Sequence, residues 1–413
     1  GADPIKWVNQ YSPVIGFLGN PNFQSSFVGF SGILAFGFIC AQEIKQSMRL
    51  AYVAYLILAT FVIIKTDSQQ GLLVLAGGIG IVAIIWVSRS RFKVVTIPAL
   101  VMSVIGTVFV ALGSLNSGPL ASLLYKASVT YRGDYWRAGW KMTVEHPFFG
   151  VGLDSYGDWY RRTRTLEATL RNGPEVTSNA AHNVLLDFSA NGGFPLVLIY
   201  LALMVLVATS AIKLLKRSSV FDPRVAGLIA VWIGYQAQSI ISINQIGLAI
   251  WGWILGGLVI GYVHGQTRTD IEPAPATQNR PQAKGRIAVQ KQKSVSVSLI
   301  ILGMFIGGAI AAPPVLADSK WHATQIKLDP AQVANNSKVW PLEAIRLLQA
   351  STIYTSRKVP TTGLELARYA VEKFPNNFYA WRVLSSTPGI TDLEKAKAKA
   401  EMLRLDPLNP AFK

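Results

Sequence analysis

Eight apolar stretches, most of them close to twenty residues long, divide this sequence. They run over about 25–42, 49–65, 71–88, 94–114, 193–213, 225–243, 246–264 and 294–316. Each is long enough, or nearly so, to cross about 30 Å of hydrocarbon as a helix. Only 15% of the 413 residues are charged, against about a quarter in a soluble domain. The pattern predicts an all-α, polytopic helical membrane protein of about eight spans, with polar parts attached. The formal charge of +17 does not argue for nucleic acid, because most of the excess lies in short segments between apolar runs.

Those segments set an orientation. Residues 43–49, 88–93, 213–224 and 265–293 are rich in Lys and Arg, whereas 66–70 and 242–247 carry almost no positive charge. The two classes alternate as a zigzag requires, and basic loops face the cytoplasm. The long polar stretch 115–192 is therefore expected outside, and so is the tail 318–413. The opening GADPIKWVNQ has no initiator Met, no signal peptide and an outward start. On that ground the sequence reads as part of a longer membrane protein with further upstream spans.

Residues 265–293, rich in Pro, Gln and Lys, read as a flexible cytoplasmic linker. A last span follows at 294–317. In 318–413 apolar residues recur at helical spacing, and KFPNN and LDPLNP recur about 32 residues apart. The period is similar to that of a degenerate tetratricopeptide-type repeat, about 34 residues; a small helical bundle without a repeat is the alternative. Cys40 is the only cysteine, which excludes a disulfide framework and any multi-cysteine metal site.

Chemistry is expected in the segment 132–193. Arg132, Trp136 and Trp140 fall on one face of a helix, Arg137 and Lys141 on another. The Trp/Arg face suits anchoring at the membrane surface or, through Arg132, a bidentate grip on phosphate. HPFFGVGL (146–153) ends that helix in a turn where backbone can come close to another group. Arg161, Arg162, Arg164 and Arg171 follow as a basic run: either a solvated face or a site that attracts a lipid-linked phosphate or an anionic glycan. His182-Asn183 precedes the fifth span. Its imidazole is either a satisfied structural group or a general base, and Asp187 can orient it only if the backbone turns. Gln236, Gln238, Ser239, Ser242 and Asn244 suit helix–helix hydrogen bonds or a cavity. GGIGIVA (77–83) lies within a span and reads as close helix packing.

Three of these elements together resemble the O-antigen ligase/polymerase superfamily, over roughly residues 16–264. GFLGNPNFQSSF (16–27) is similar to the family's G-x-x-x-N-P-N-F. Arg132-x3-Trp136, followed by HPFFGVGLDSY, is similar to R-x3-W…P-x-x-G-x-G. His182-Asn183-x9-Gly193 is similar to H-N-x9-G-x-x-G. The resemblance implies transfer of a glycan from a polyprenyl-diphosphate carrier on the outer leaflet, without metal, cofactor or nucleic acid. The acceptor it implies is a lipid, a glycan or a protein. Arg132 is then expected to hold the diphosphate and His182 to act as base on the acceptor hydroxyl. Arg137, Arg161, Arg162, Arg164, Trp136, Asn183, Asn22 and Gln69 are expected to contact substrate. Two positions depart from the pattern: Gln69 stands where the family often has arginine after Ser68, and Leu196 replaces the last glycine.

The expected organisation is a ligase/polymerase-like membrane domain over 1–264 with its catalytic loop at 115–192. The linker, the last span and an outer helical tail that contacts acceptor or a protein partner complete it. The expected location is the bacterial inner membrane. A non-catalytic scaffold of glycan assembly and a transporter of lipid-linked glycans are the rival readings. The transporter needs charges deep within spans, and the sequence offers essentially none.

Overall fold

The computed structural model describes residues 16–217, 219–269, 297–327 and 329–412. The opening residues 1–15 and most of the expected linker (270–296) lie outside the described residues. Among those described, the chain is helical and contains no strand. It divides into two units, residues 1–272 and 273–413.

In the first unit, α1 (Pro21–Ile39) is the central helix. Asn20 caps it by accepting the Asn22 N–H at 2.8 Å, and Pro21 occupies its first turn. Both are standard starting devices, and they begin the helix four residues before the expected apolar start. α1 packs on α2 (Gln46–Lys65) and α3 (Gln69–Ser88). Close approach at the α1–α3 contact depends on small residues: a Cβ on Gly71 would overlap Ser25 and one on Gly78 would overlap Ile33. Without a hydrophobic force between helices in lipid, such contact is what holds spans together. Of the glycines in 77–83, Gly78 alone makes it; Gly77 and Gly80 face open space.

After α4 (Thr96–Ser114) come α5 (Ala121–Leu124), the longer α6 (Ala127–Glu145), and the short α7 (Tyr156–Thr163) and α8 (Leu166–Asn172). α9 (Val184–Arg217), α10 (Pro223–Ser239) and α11 (Ile246–Thr269) complete the unit. The buried core joins Phe30, Ile33 and Val74 to Val207, Ile229 and Val259, so α9, α10 and α11 close on α1 and α3. Seven helices among the described residues are long and apolar enough to cross a membrane, rather than eight. The difference is α10: it has 17 residues, of which 11 are buried, and it packs on α1, α3, α9 and α11. Its short length goes with an interior position. α11 also continues to Thr269, into the stretch expected as linker.

Arginines at one end of the unit close helix ends. Arg49 donates to the Ala41 carbonyl just past α1 at 2.8 Å and Arg89 to that of Leu215 in the last turn of α9, while Arg217 ties α9 to α11 through the Val263 carbonyl at 3.0 Å. Terminal carbonyls of a helix lack intrahelical partners and carry the negative end of its dipole, so cations suit them. Three of the loops that sequence marks as basic, 43–49, 88–93 and 213–224, thus converge at one end.

In the second unit, α12 (Val297–Lys327) does not stop at the expected boundary of 317. Its last turns bury Trp321 against Val333 and Leu347, and Trp321 Nε1 donates to Gln349 Oε1 at 2.8 Å. The helix therefore continues without a break from an apolar run into a folded helical unit. α13 (Pro330–Ser337), α14 (Ala344–Ser356), α15 (Pro360–Lys373), α16 (Phe378–Ser386) and α17 (Asp392–Leu405) follow, each packing on the next. Phe374 and Asp406, in the two recurring segments, end α15 and α17 with nearly the same geometry: φ −127, ψ 62 and φ −141, ψ 67.

Candidate functional site

α6 lies against the first part of α9, and backbone contacts lock the two together. Phe194 N–H donates to the Pro147 carbonyl at 2.7 Å, and Val151 N–H to that of Ala190 at 2.8 Å. The side chain of Asn191 accepts from the Ser155 and Tyr156 N–H groups, both at 3.1 Å. Thr143 and Ser189 hydroxyls meet at 2.9 Å in the interior. This explains the glycines of the two motifs. Gly193 breaks α9 with φ 69, ψ −174, a region essentially reserved for glycine, and a Cβ there would lie 2.5 Å from the Pro147 oxygen. Gly150, at φ 61, would drive a Cβ into Ala190. Leu196 stands past the kink, outside this interlock.

His182 sits just before α9 in an uncommon left-handed conformation, φ 54. Four contacts hold it there. Asn183 caps α9, its Oδ1 accepting Leu186 N–H at 3.1 Å. Asp187 Oδ1 accepts Ala181 N–H at 2.5 Å. Trp136 Nε1 donates to the His182 carbonyl at 3.4 Å, and the Tyr135 ring lies 5.4 Å from the imidazole. The backbone does turn between His182 and Asp187, yet the carboxylate grips the chain one residue before the histidine. Burial, and then the nearby Arg132 guanidinium, push the His182 imidazole down to about 4. Its ring is neutral at ordinary pH and offers a lone pair.

Arg132 is half-buried on α6, and burial lowers its own affinity for a proton. Its side chain makes no ion pair and no hydrogen bond to any described residue. The neighbouring phenols cannot serve as counter-ions. Burial raises Tyr135 and Tyr160, and raises Tyr156 well above the ordinary value.

The other basic side chains are engaged differently. The expectation of an exposed basic run fails at Arg161 and Arg164, which are buried at 2% and 3% exposure. Arg161 donates to the Pro174 carbonyl at 2.7 Å and lies 3.7 Å from Glu175. Arg164 donates to the Pro174 and Val176 carbonyls, both at 3.1 Å. Together they hold the loop after α8. Arg171 grips both oxygens of the buried Asp134, at 3.0 and 3.1 Å. Arg162 lies over the Trp159 ring at 4.1 Å, and exposed Arg137 is 3.8 Å from Glu167.

Asn22 and Gln69 belong to a second polar group, where α1 and α3 begin. Ser68 donates to the Asn22 side chain at 2.8 Å, Gln70 to Gln238 at 2.7 Å, and Gln69 to the Leu123 carbonyl at 2.7 Å. Gln236 accepts from Tyr200 at 3.2 Å. Gln70, Gln236 and Gln238 thus join helices to one another. Two residues of the His182 frame have no forewarning in the motif reading, Tyr135 and Asn191. The one available signal was the i, i+4 spacing of Asp187 and Asn191 on a helix that opens at the His182 turn.

Residues 54–201 match a family model described as O-Antigen ligase. The match runs from α2 to the kinked part of α9 and includes Arg132, the 146–152 turn and His182-Asn183. Over these residues the chain is similar to the O-antigen ligase/polymerase superfamily. A comparison with curated proteins finds no match. The matched family is one of glycan ligases and polymerases, and the seven long apolar helices suit a multi-pass membrane protein. Asn22, in the first motif, lies outside the matched residues and is joined to them through Ser68.

Proposed function

We propose that this protein transfers a glycan from a polyprenyl-diphosphate carrier to an acceptor hydroxyl at the outer face of the bacterial inner membrane. The observation that carries this reading is the pairing of Arg132 with His182. A half-buried guanidinium without a partner among the described residues stands beside an imidazole kept neutral. A buried cation without a counter-ion is costly, and an anionic ligand removes that cost.

In the proposed step the acceptor oxygen bonds the anomeric carbon while His182 takes the hydroxyl proton. The carbon–oxygen bond to the diphosphate breaks, its electron pair leaves on the phosphate oxygen, and Arg132 meets that charge. Diphosphate is a good leaving group, so one base and charge stabilisation suffice without a metal. An imidazole resting near 4 is a weak base. An anionic donor beside it raises its proton affinity, so donor binding prepares the base. The alternation of basic and uncharged loops supports an outer location for residues 318–413, where they would meet acceptor or a partner protein.

The test is transfer by the purified protein from a polyprenyl-diphosphate oligosaccharide. His182→Ala is expected to lower turnover by ~10²–10⁴-fold, the usual worth of a general base, with donor still bound. Undiminished turnover in that variant removes His182 from the chemistry. No transfer by the purified protein, with glycan assembly in cells abolished by deleting 318–413 and untouched by His182→Ala, supports the scaffold reading.

A further inference from the structure

The basic end of the first unit holds a cavity of about 960 Å³ between the α1–α2, α3–α4 and α9–α10 connections. That is the size of a ligand site, about 300–1,000 Å³. Its lining has two characters. Phe38, Trp86, Phe92 and Phe221 make an apolar wall, and Arg89, Arg91 and Arg224 bring positive charge. Glu43 and Asp222 also line it, and Asp222 is already occupied: it accepts the Arg224 N–H at 2.8 Å as the cap of α10, and the Tyr262 hydroxyl at 3.4 Å.

The three arginines differ in what they do. Arg89 is tied to the Leu215 carbonyl. Arg91 lies over the Phe92 ring at 4.7 Å, and neither it nor the exposed Arg224 side chain has a hydrogen bond or ion pair among the described residues. α10 begins at this cavity, with Pro223 in its first turn and 17 residues behind it, so its positive dipole end faces the same space. The site is separate from the one that carries His182. The helical run 194–217 alone puts about 35 Å, at roughly 1.5 Å per residue, between the two ends of α9.

We propose that this cavity binds the phosphodiester head group of an anionic phospholipid, with Arg91 and Arg224 on the phosphate and the acyl chains leaving along the aromatic wall. Guanidinium groups suit phosphate oxygens. Basic pockets between spans on the cytoplasmic side, where the leaflet is rich in anionic lipid, hold anionic head groups. The apolar wall favours a lipid over soluble phosphate, which has nothing to set against four aromatic rings.

Native mass spectrometry of the full protein, delipidated and offered phosphatidylglycerol or phosphatidylcholine, tests this. Saturable retention of phosphatidylglycerol at least ~10-fold above phosphatidylcholine is expected, the step that one tenfold affinity ratio represents. Arg91→Gln/Arg224→Gln is expected to abolish that preference without changing the melting temperature, since neither side chain is bonded within the fold. Glu43→Gln, which removes a competing carboxylate, is expected to strengthen it. Equal retention of the two lipids, or equal preference in wild type and the double variant, overturns the proposal. Displacement of the lipid by millimolar inorganic phosphate alone assigns the arginines to a soluble phosphate and overturns the lipid as occupant.

Discussion

Arg132 and Arg161 belong to the same segment between spans and are held in opposite ways. Arg161 is 2% exposed, bonded to the Pro174 carbonyl and close to Glu175. Arg132 is half-buried, depressed by burial, and unbonded within the described fold. A guanidinium inside a protein needs partners. Around α7 and α8 the chain supplies them from its own carbonyls, and there the arginines build structure. Around α6 and α9 the described residues give Arg132 none, and a neutral imidazole stands alongside; in the proposed reaction an anionic donor fills that place.

The contrast can be broken in four ways. Gly193→Ala carries the largest effect, because it attacks the interlock that holds Arg132 and His182 in one frame. Backbone strain of ~1–3 kcal/mol adds to a collision with the Pro147 oxygen at 2.5 Å. Transfer is expected to vanish and the melting temperature to drop. Arg161→Met comes next. Removing a buried, bonded guanidinium is expected to cost ~2–4 kcal/mol of stability, read by thermal unfolding, with transfer lost only in proportion to unfolded protein. An unchanged melting temperature contradicts the structural role of that arginine.

Asp187→Ala is expected to act through position alone. It frees Ala181 N–H and loosens the left-handed turn at His182, lowering kcat by about tenfold, roughly 1.4 kcal/mol, while KM for donor holds. Asp187→Asn, which keeps an acceptor, is expected to recover most of the loss; equal loss in both variants argues for a charge effect instead. The smallest effect is on pH. The acid limb of kcat/KM, which reports free enzyme, is expected near pH 4, that of the depressed His182. The limb of kcat, which reports the donor complex, is expected at higher pH. Because an unfolded histidine takes up its proton first, near 6.5, stability present above that pH is expected to be lost as pH falls toward 4. Coincident limbs for the two parameters contradict donor-induced activation.

Much of this was legible in the sequence, and the failures have physical causes. Spans can be read because lipid demands long apolar helices, and the two glycine motifs because interlocked turns leave no room for Cβ at Gly150 and Gly193. The kink at Gly193 was not, since DFSANGGFPLVL is helix on both sides of the break. α10 differs from the other apolar stretches in length and burial rather than in apolar character, because an interior helix is as apolar as a lipid-facing one. Arg161 and Arg164 looked like a surface from composition, which does not show where carbonyls wait. The Asp187–Ala181 bond is a backbone contact, and side-chain spacing is silent about those.

The most direct test of the account is Arg132→Gln, measured for transfer and for thermal unfolding on one preparation. The account predicts a loss of turnover of ~10²–10³-fold, the worth of one charge-stabilising group, with the melting temperature unchanged and donor affinity weakened. Full transfer in that variant, or a melting temperature lowered as far as in Arg161→Met, would show that Arg132 is one more arginine holding the fold together.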